Sequence, residues 1–448
     1  MTKRLGYLGE PLRWGAHWAF VRDVGAMSLL RLTGGSLLFA SQVLLAGWLG
    51  PTAFGIYTFA WAWVAVLGAL AAFGLPATAV RFISAYREAD SSSRIRGLIT
   101  FSRAATLGFS LAITAAAMII AALTVPDSPY HPTLRVALLA VPVLAFLNLD
   151  AAFARGFGWM AISTIAEQVG RPLLLIALGW LMVEAFGWRS APMLAAGCAL
   201  AYLIATLWQH IVLRMRIAPI VRRGPAEVER GAWLHMASAM FLLNSAQMLR
   251  VNADPLLVGV LIGPLDLGIY TAAVRTATLV SFVLTITSLV AQPNLSAIHA
   301  WQRREELERF FAAATRLTFV LSVTAAALLC IAGPFILRLF GQAFTAGYPT
   351  LLILLAGHVA AARFGPVTSL LVMTGHQRTA ASIQGVSTLV SALLIVALIA
   401  PFGVIGAASA VALSAFATQL ALYSAARRRL DVRLQPLQLR GLLRVKAP

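Results

Sequence analysis

Twelve stretches of the 448-residue chain are apolar for long enough to cross a bilayer. They lie near 27–49, 54–79, 98–125, 134–154, 160–183, 191–213, 234–262, 267–292, 312–333, 349–373, 380–400 and 403–426. A hydrocarbon core about 30 Å thick takes roughly 20 helical residues per passage. The pattern therefore predicts an all-α integral membrane protein of about twelve transmembrane helices.

The polar segments between these runs test that count. With the N-terminus inside, the inner segments are 1–26, 80–97, 155–159, 214–233, 293–311, 374–379 and the tail after 426. These segments and their membrane edges (Arg31, Arg103, Arg316) hold 28 Lys and Arg residues, the opposite loops three, and the spans four, which accounts for all 35. Positive residues gather on the cytoplasmic side, and one missed helix would invert every later loop. Both termini are expected to be cytoplasmic. Every loop is short, and the longest leave roughly twenty residues outside the bilayer, too few for a folded domain. Activity must therefore reside within the helices or at their mouths.

The chain repeats itself. Gly50-Pro51-Thr52-Ala53-Phe54-Gly55-Ile56-Tyr57-Thr58 follows span one, and Gly263-Pro264-Leu265-Asp266-Leu267-Gly268-Ile269-Tyr270-Thr271 follows span seven, with six of nine positions identical. Arg155-Gly156 after span four is echoed by Thr374-Gly375 after span ten. Gly-Pro stops one helix, and the second Gly lets the chain turn into the next, a local role. Six spans per block is even, so the halves share one orientation, as in the parallel repeats of transporters. The expected organisation is an interfacial segment 1–26, an N-terminal lobe 27–213, an inter-lobe loop 214–233, a C-terminal lobe 234–426 and a basic tail 427–448. The two lobes are parallel six-helix bundles.

Composition agrees with the pattern. Hydrophobic residues make up 60% and charged residues 11%, against about 25% charged in soluble domains, and mean hydropathy is +0.83. The net charge of +19 follows from the positive-inside bias and calls for no nucleic-acid partner. In 1–26, Trp14, Trp18 and Phe20 alternate with Arg13 and Arg22, as in an interfacial helix. The tail faces anionic lipid. Cys198 and Cys330 lie in apolar runs and read as core residues. No metal-ligand spacing, catalytic constellation, cofactor motif or cleavable signal peptide stands out.

Leu49-Gly50-Pro51, Phe54-Gly55, Tyr57 and Arg81-Phe82-Ile83-Ser84 resemble the amino-terminal signature of Wzx-type polysaccharide flippases, members of the multidrug/oligosaccharidyl-lipid/polysaccharide exporter superfamily. Asp254 to Gly259, Gly268-Ile269-Tyr270 through Arg275, and Gly403 to Ala408 are similar to later spans of that family. The resemblance implies the fold shared by multidrug exporters and flippases. It also implies a flippase for polyprenyl-pyrophosphate-linked oligosaccharide, working by alternating access around a cationic cavity. Polysaccharide polymerase or assembly proteins would be partners.

Charges inside spans are costly and usually face the bundle interior or water. The cavity candidates are Glu167 and Arg171 in span five, Arg250 and Asp254 in span seven, Arg275 in span eight and Arg363 in span ten. Glu167/Arg171 and Arg250/Asp254 are spaced i, i+4, so each pair could also neutralise itself on one helix face. Arg275 and Arg363 lack a partner in their own spans, and an Arg that cannot deprotonate needs an anion from the fold or the ligand. Asp254 could screen that charge or hold a coupling ion. Asp150 lies close to Arg155. His358 reads as a hydrogen-bonded core residue, with proton coupling as the sharper alternative. Arg81, Arg87 and Arg155 are candidates for the inner mouth, where topology alone also explains them. Trp61, Trp63, Trp159, Trp180 and Trp188 read as an interfacial belt.

Two rival functions remain. A multidrug exporter of the same superfamily would recognise organic cations, but the in-span charge here leans basic. A membrane-embedded glycan-processing enzyme would need acidic motifs or a large outer loop. The close acids Glu88/Asp90, Glu227/Glu229 and Glu305/Glu306/Glu308 all sit in basic loops, so no enzyme is expected.

Overall fold

The computed structural model describes residues 14–124, 127–221, 224–300 and 304–430, and every regular element among them is helical. The first half comprises α1 (Trp14–Ala71), α2 (Leu75–Glu88), α3 (Ser92–Thr124), α4 (His131–Leu138), α5 (Ala140–Gly156), α6 (Met160–Ile165), α7 (Arg171–Trp180) and α8 (Ala191–Ile217). The second comprises α9 (Arg230–Leu261), α10 (Pro264–Ala300), α11 (Arg304–Phe340), α12 (Tyr348–Ala362), α13 (Val367–Met373) and α14 (Gln377–Leu430). Of the expected interfacial segment and basic tail, residues 1–13 and 431–448 lie outside the described residues. Over 14–26 the backbone is helix continuous with span one.

Nine described helical stretches are long and apolar enough to cross a membrane. Two of them are broken, α1 at Gly50 (φ 72°) and α14 at Gly403 (φ 55°), each beside a proline ring that interrupts the helical ladder. Each therefore supplies two passages. The last passage is α9, 32 residues long, whose Arg250 and Asp254 lower its hydropathy. Nine, two and one make the expected twelve. The protein is a multi-pass membrane protein of two six-helix lobes.

The repeated corner does more than turn the chain. A Cβ on Gly55 would collide with the carbonyl of Pro264, and one on Gly268 with the carbonyl of Pro51. Each copy's second glycine thus makes room for the other copy's proline, a reciprocal contact between the lobes. Aromatic rings extend the seal, with Phe54 against Phe344 at 5.9 Å and Phe39 against Phe340 at 5.8 Å between centroids. One hydrophobic core runs through both lobes here, from Leu45, Phe54 and Tyr57 to Tyr270, Phe340 and Leu354. Toward the Arg-rich end the cores are separate. One is built on Leu75, Ile83, Leu98 and Phe153, and the other on Leu295, Phe311, Val367 and Leu422. The lobes are therefore joined at the end opposite the arginines and part toward them. Trp233 and Ala237, at the start of α9, pack into the first lobe's core, so α9 begins on one lobe and crosses into the other.

Asp150, near the end of span four, takes its partners from other spans. Its fully buried carboxylate accepts from Arg103 at 3.4 Å and pairs with His210 Nδ1 at 2.9 Å, tying spans three, four and six. Breaking one partner of such a pair strands the other in a poorly solvating medium, at a cost of about 3–5 kcal/mol. Asp150→Leu should therefore lower the thermal unfolding midpoint of purified protein sharply, and an unchanged midpoint would deny the pair a structural role.

Candidate functional site

Where the two lobes meet below the sealed corner, a cavity of about 200 Å³ opens among Tyr57, Trp61, Arg171, Tyr202, Asn252 and Arg275. Span two, which starts at the first Gly-Pro corner, carries Tyr57 and Trp61 down into it. Span five brings Arg171, and α10, which starts at the second corner, brings Arg275 three turns in. The two guanidiniums lie close enough to act on one another. Arg275 is exposed into the cavity.

Arg171 is held in place by aromatics rather than by Glu167. Its Nη1 donates to the Tyr202 hydroxyl at 2.7 Å, and its guanidinium lies 5.1 Å from the Tyr202 ring centroid. Tyr202 in turn stacks on Trp61 at 5.0 Å and 13° between planes. Residues Ala166–Gly170 form a single π-helical turn between α6 and α7, and Arg171 follows it directly. No ion pair joins Glu167 and Arg171 among the described residues, and Glu167 acts electrostatically on both Arg155 and Arg171 from outside the cavity's lining. Single π turns inside α-helices often mark functional sites.

The cavity is rich in donors, and the acceptors on its described lining are neutral amides and hydroxyls, such as those of Gln42, Asn252 and Tyr202. Besides the two arginines, Trp61 Nε1 and Thr58 Oγ1 are buried with no hydrogen-bond partner in the protein. No carboxylate appears among its described lining residues. Buried donors left unpaired are costly, so this arrangement fits an anion with several oxygens, bound by charge-assisted hydrogen bonds. Tyr57 bonds Cys198 Sγ at 3.2 Å on the same wall.

The other candidates are dispersed. Arg250 and Asp254, with His358, line a second cavity of about 360 Å³ on the far side of α9 and α10. They form no ion pair among the described contacts; Arg250 Nε donates to Gln247 at 3.4 Å. Arg363 lines neither cavity and sits at the C-terminal end of α12, in the break before α13, where a cation complements the helix dipole. At the Arg-rich face Arg87 Nη1 donates to Phe157 O at 2.8 Å, at the end of α5. Arg81 is exposed, 3.5 Å from Met236 Sδ, and Arg155 is half-buried. Trp61 leaves the belt the sequence assigned it to and becomes part of the cavity wall, while Trp180 and Trp188 are exposed as belt residues are. Sequence reasoning missed Tyr57, Trp61 and Tyr202 as site residues. The repeated Ile-Tyr-Thr carried a signal for the first of them.

The segment between the lobes is pinned to the first lobe. Arg94 Nε lies 3.1 Å from Glu227 Oε2 and 3.2 Å from Glu229 Oε1, and Ser93 donates to Glu227 at 2.9 Å. Hydrogen bonds from Arg94 and then Ser93 hold the Glu227 carboxyl below the usual carboxylate range. A depressed pKa means the folded carboxylate takes up a proton less readily than the unfolded one, so the contact's stabilisation is full above that range and fades as pH falls through the lowered value. Both partners are exposed, so the effect should be local. Protection against hydrogen exchange over 224–230, relative to the intrinsic rate at each pH, should fall in acid, and Glu227→Gln should lower it similarly at neutral pH.

Comparison with known proteins fits this geometry. A family model described as polysaccharide biosynthesis protein matches residues 20–299, a stretch that contains the Gly-Pro corners, Arg171 and Arg275. The chain belongs to that family. No curated protein matches the sequence. Among solved structures, an inward-facing multidrug resistance MATE family transporter of the MOP superfamily matches with TM-score 0.76 at 16% identity, over 90% of this chain and 98% of that one. The lipid II flippase MurJ, in an inward closed conformation, matches with TM-score 0.70 at 13% identity, over 89% and 87%. An outward-facing MATE family transporter matches less well, with TM-score 0.59 at 16% identity over 90% and 94%. The fold is that of MOP superfamily transporters.

Proposed function

We propose that the protein is a flippase that carries a lipid-linked glycan with a polyprenyl-pyrophosphate anchor from the cytoplasmic to the outer leaflet of a bacterial inner membrane. The observation that carries this reading is the inter-lobe cavity with Arg171, Arg275, Trp61 Nε1 and Thr58 Oγ1 as donors and no lining carboxylate. A pyrophosphate supplies the anionic acceptors that the described lining lacks. An organic cation would find two guanidiniums and no carboxylate on the described lining, with Asp254 only in the neighbouring cavity, which disfavours multidrug export. Membership in a polysaccharide biosynthesis family supports the glycan.

With the termini and the Arg-rich face read as cytoplasmic, lobes that part toward that face fit an inward-facing state. Alternating access follows from the two ends. Breaking the Gly55–Pro264 and Gly268–Pro51 contacts while the separate inner cores come together would present the same arginines to the other side. Binding that favours one state drives the exchange only by its differential affinity. The direct test is deletion of the gene. Loss of surface polysaccharide with lipid-linked repeat units accumulating inside supports the reading. Normal polysaccharide with altered resistance to cationic drugs would falsify it.

A further inference from the structure

The second cavity has a different chemistry from the first. It is walled by α14 on both sides of the Gly403 break and by spans seven to ten. Before the break, Gln384, Ser387, Thr388 and Ser391 line it at i, i+3, i+4 and i+7, one face of a helix. The opposite face, with Val386, Leu389 and Leu393, is exposed as a lipid-facing surface would be. After the break Ser414, Thr418 and Gln419 continue the wall.

We propose that this cavity is a glycan subsite, so that one lobe holds the sugar while the inter-lobe arginines hold the phosphate. This rests on the reading of the substrate as a lipid-linked glycan. Many of the hydroxyls already have their proton engaged. Ser414 Oγ donates to Ser391 Oγ at 2.9 Å, Thr388 to Gln384 O at 2.9 Å and Thr418 to Ser414 O at 2.6 Å. Their oxygens keep lone pairs for incoming O–H donors. The glutamine amides provide donors and acceptors, and Gln419 Oε1 is buried without a partner in the protein. A sugar is the ligand that presents O–H groups as both donors and acceptors in every direction. The only charged groups on the described lining are Arg250 and Asp254, one of each sign, and no Phe, Tyr or Trp is among them. Such a wall has no ring on which a flat organic cation could stack. At about 360 Å³ the cavity falls within the roughly 300–1,000 Å³ of small-molecule sites. Span seven divides the two chambers, with Asn252 and Pro255 on the arginine side and Ala253 and Asp254 on the hydroxyl side, so one ligand could engage both around a single helix.

The test compares two probes on the purified full-length protein by calorimetry. One is synthetic polyprenyl pyrophosphate, and the other is the same lipid bearing its saccharide, isolated from the deletion strain. The wild type should bind the glycosylated lipid at least about tenfold more tightly, as expected for a few added hydrogen bonds. Gln384→Leu with Gln419→Leu should remove that advantage and leave affinity for the bare lipid unchanged, whereas Arg275→Gln should weaken both. Should the double variant lose its thermal transition, Ser387→Ala with Thr388→Val serves the same comparison. Equal wild-type affinity for the two lipids, or an advantage that survives both double variants, overturns the subsite and leaves the proposed function standing. Failure of the wild type to bind either lipid overturns the proposed function and the subsite with it.

Discussion

Cells in which Arg171 or Arg275 is replaced by glutamine should make the protein in normal amounts and export almost no polysaccharide. Glutamine keeps much of the side chain's length and its hydrogen-bonding ability, so the substitution removes charge with little change of shape. Hydrogen bonds to charged groups are worth about 1.5–3 kcal/mol each, which corresponds to roughly 10–100-fold in affinity per arginine. For Arg171 the loss should be compounded, because its geometry is set by the Tyr202 hydroxyl and by the Trp61–Tyr202 stack behind it. Tyr202→Phe should then produce a milder version of the same defect. Arg363→Gln is the contrast. At the end of α12 it loses a dipole interaction of about 0.3–1 kcal/mol, and export should persist. Surface polysaccharide measured beside an immunoblot for each variant checks the pattern, and full export from Arg275→Gln would show that the cavity has been misassigned.

The second large effect concerns the corner. Gly55→Val or Gly268→Val should cut export at least as severely, without touching a single cavity residue. A side chain at either position would occupy the space of the opposing proline's carbonyl. The packed backbone there cannot yield, so the lobes must part. The native thiol of Cys198, which lines the inter-lobe cavity and is otherwise buried, reports the result. In a Cys330→Ser background it should resist a membrane-impermeant maleimide added outside, and in either glycine variant it should react. Labelling that stays absent while export is normal would mean that the reciprocal contact is not the outer seal.

These two predictions mark the boundary of what the sequence made legible. Length and hydropathy placed all twelve passages, because a bilayer leaves a helix few alternatives, and the uneven distribution of arginine fixed their parity. The repeat was visible as a string, but its meaning was not. Reciprocal packing of Gly55 on Pro264 and Gly268 on Pro51 is a tertiary fact, invisible to a reading that saw each corner as a local turn. The Glu167/Arg171 spacing left a self-paired and a cavity-facing reading open, and the choice between them depended on Tyr202 and Trp61, which come from other spans. Trp61 looked like a belt residue because belts are where most membrane tryptophans lie. Asp150 was placed by sequence proximity, whereas its partners come from spans three and six. The polar stripe on the first half of α14 was present in the sequence at helical spacing, and only its position opposite a lipid-facing stripe gave it weight.

The central claim is that the cationic inter-lobe cavity serves a pyrophosphate-linked glycan. Purified protein in liposomes, loaded on one side with a fluorescent polyprenyl-pyrophosphate-linked saccharide, tests it most directly against parallel uptake of ethidium. The expected result is transfer of the lipid between leaflets, lost in Arg275→Gln, with no ethidium accumulation. Accumulation of ethidium without movement of the lipid would contradict it.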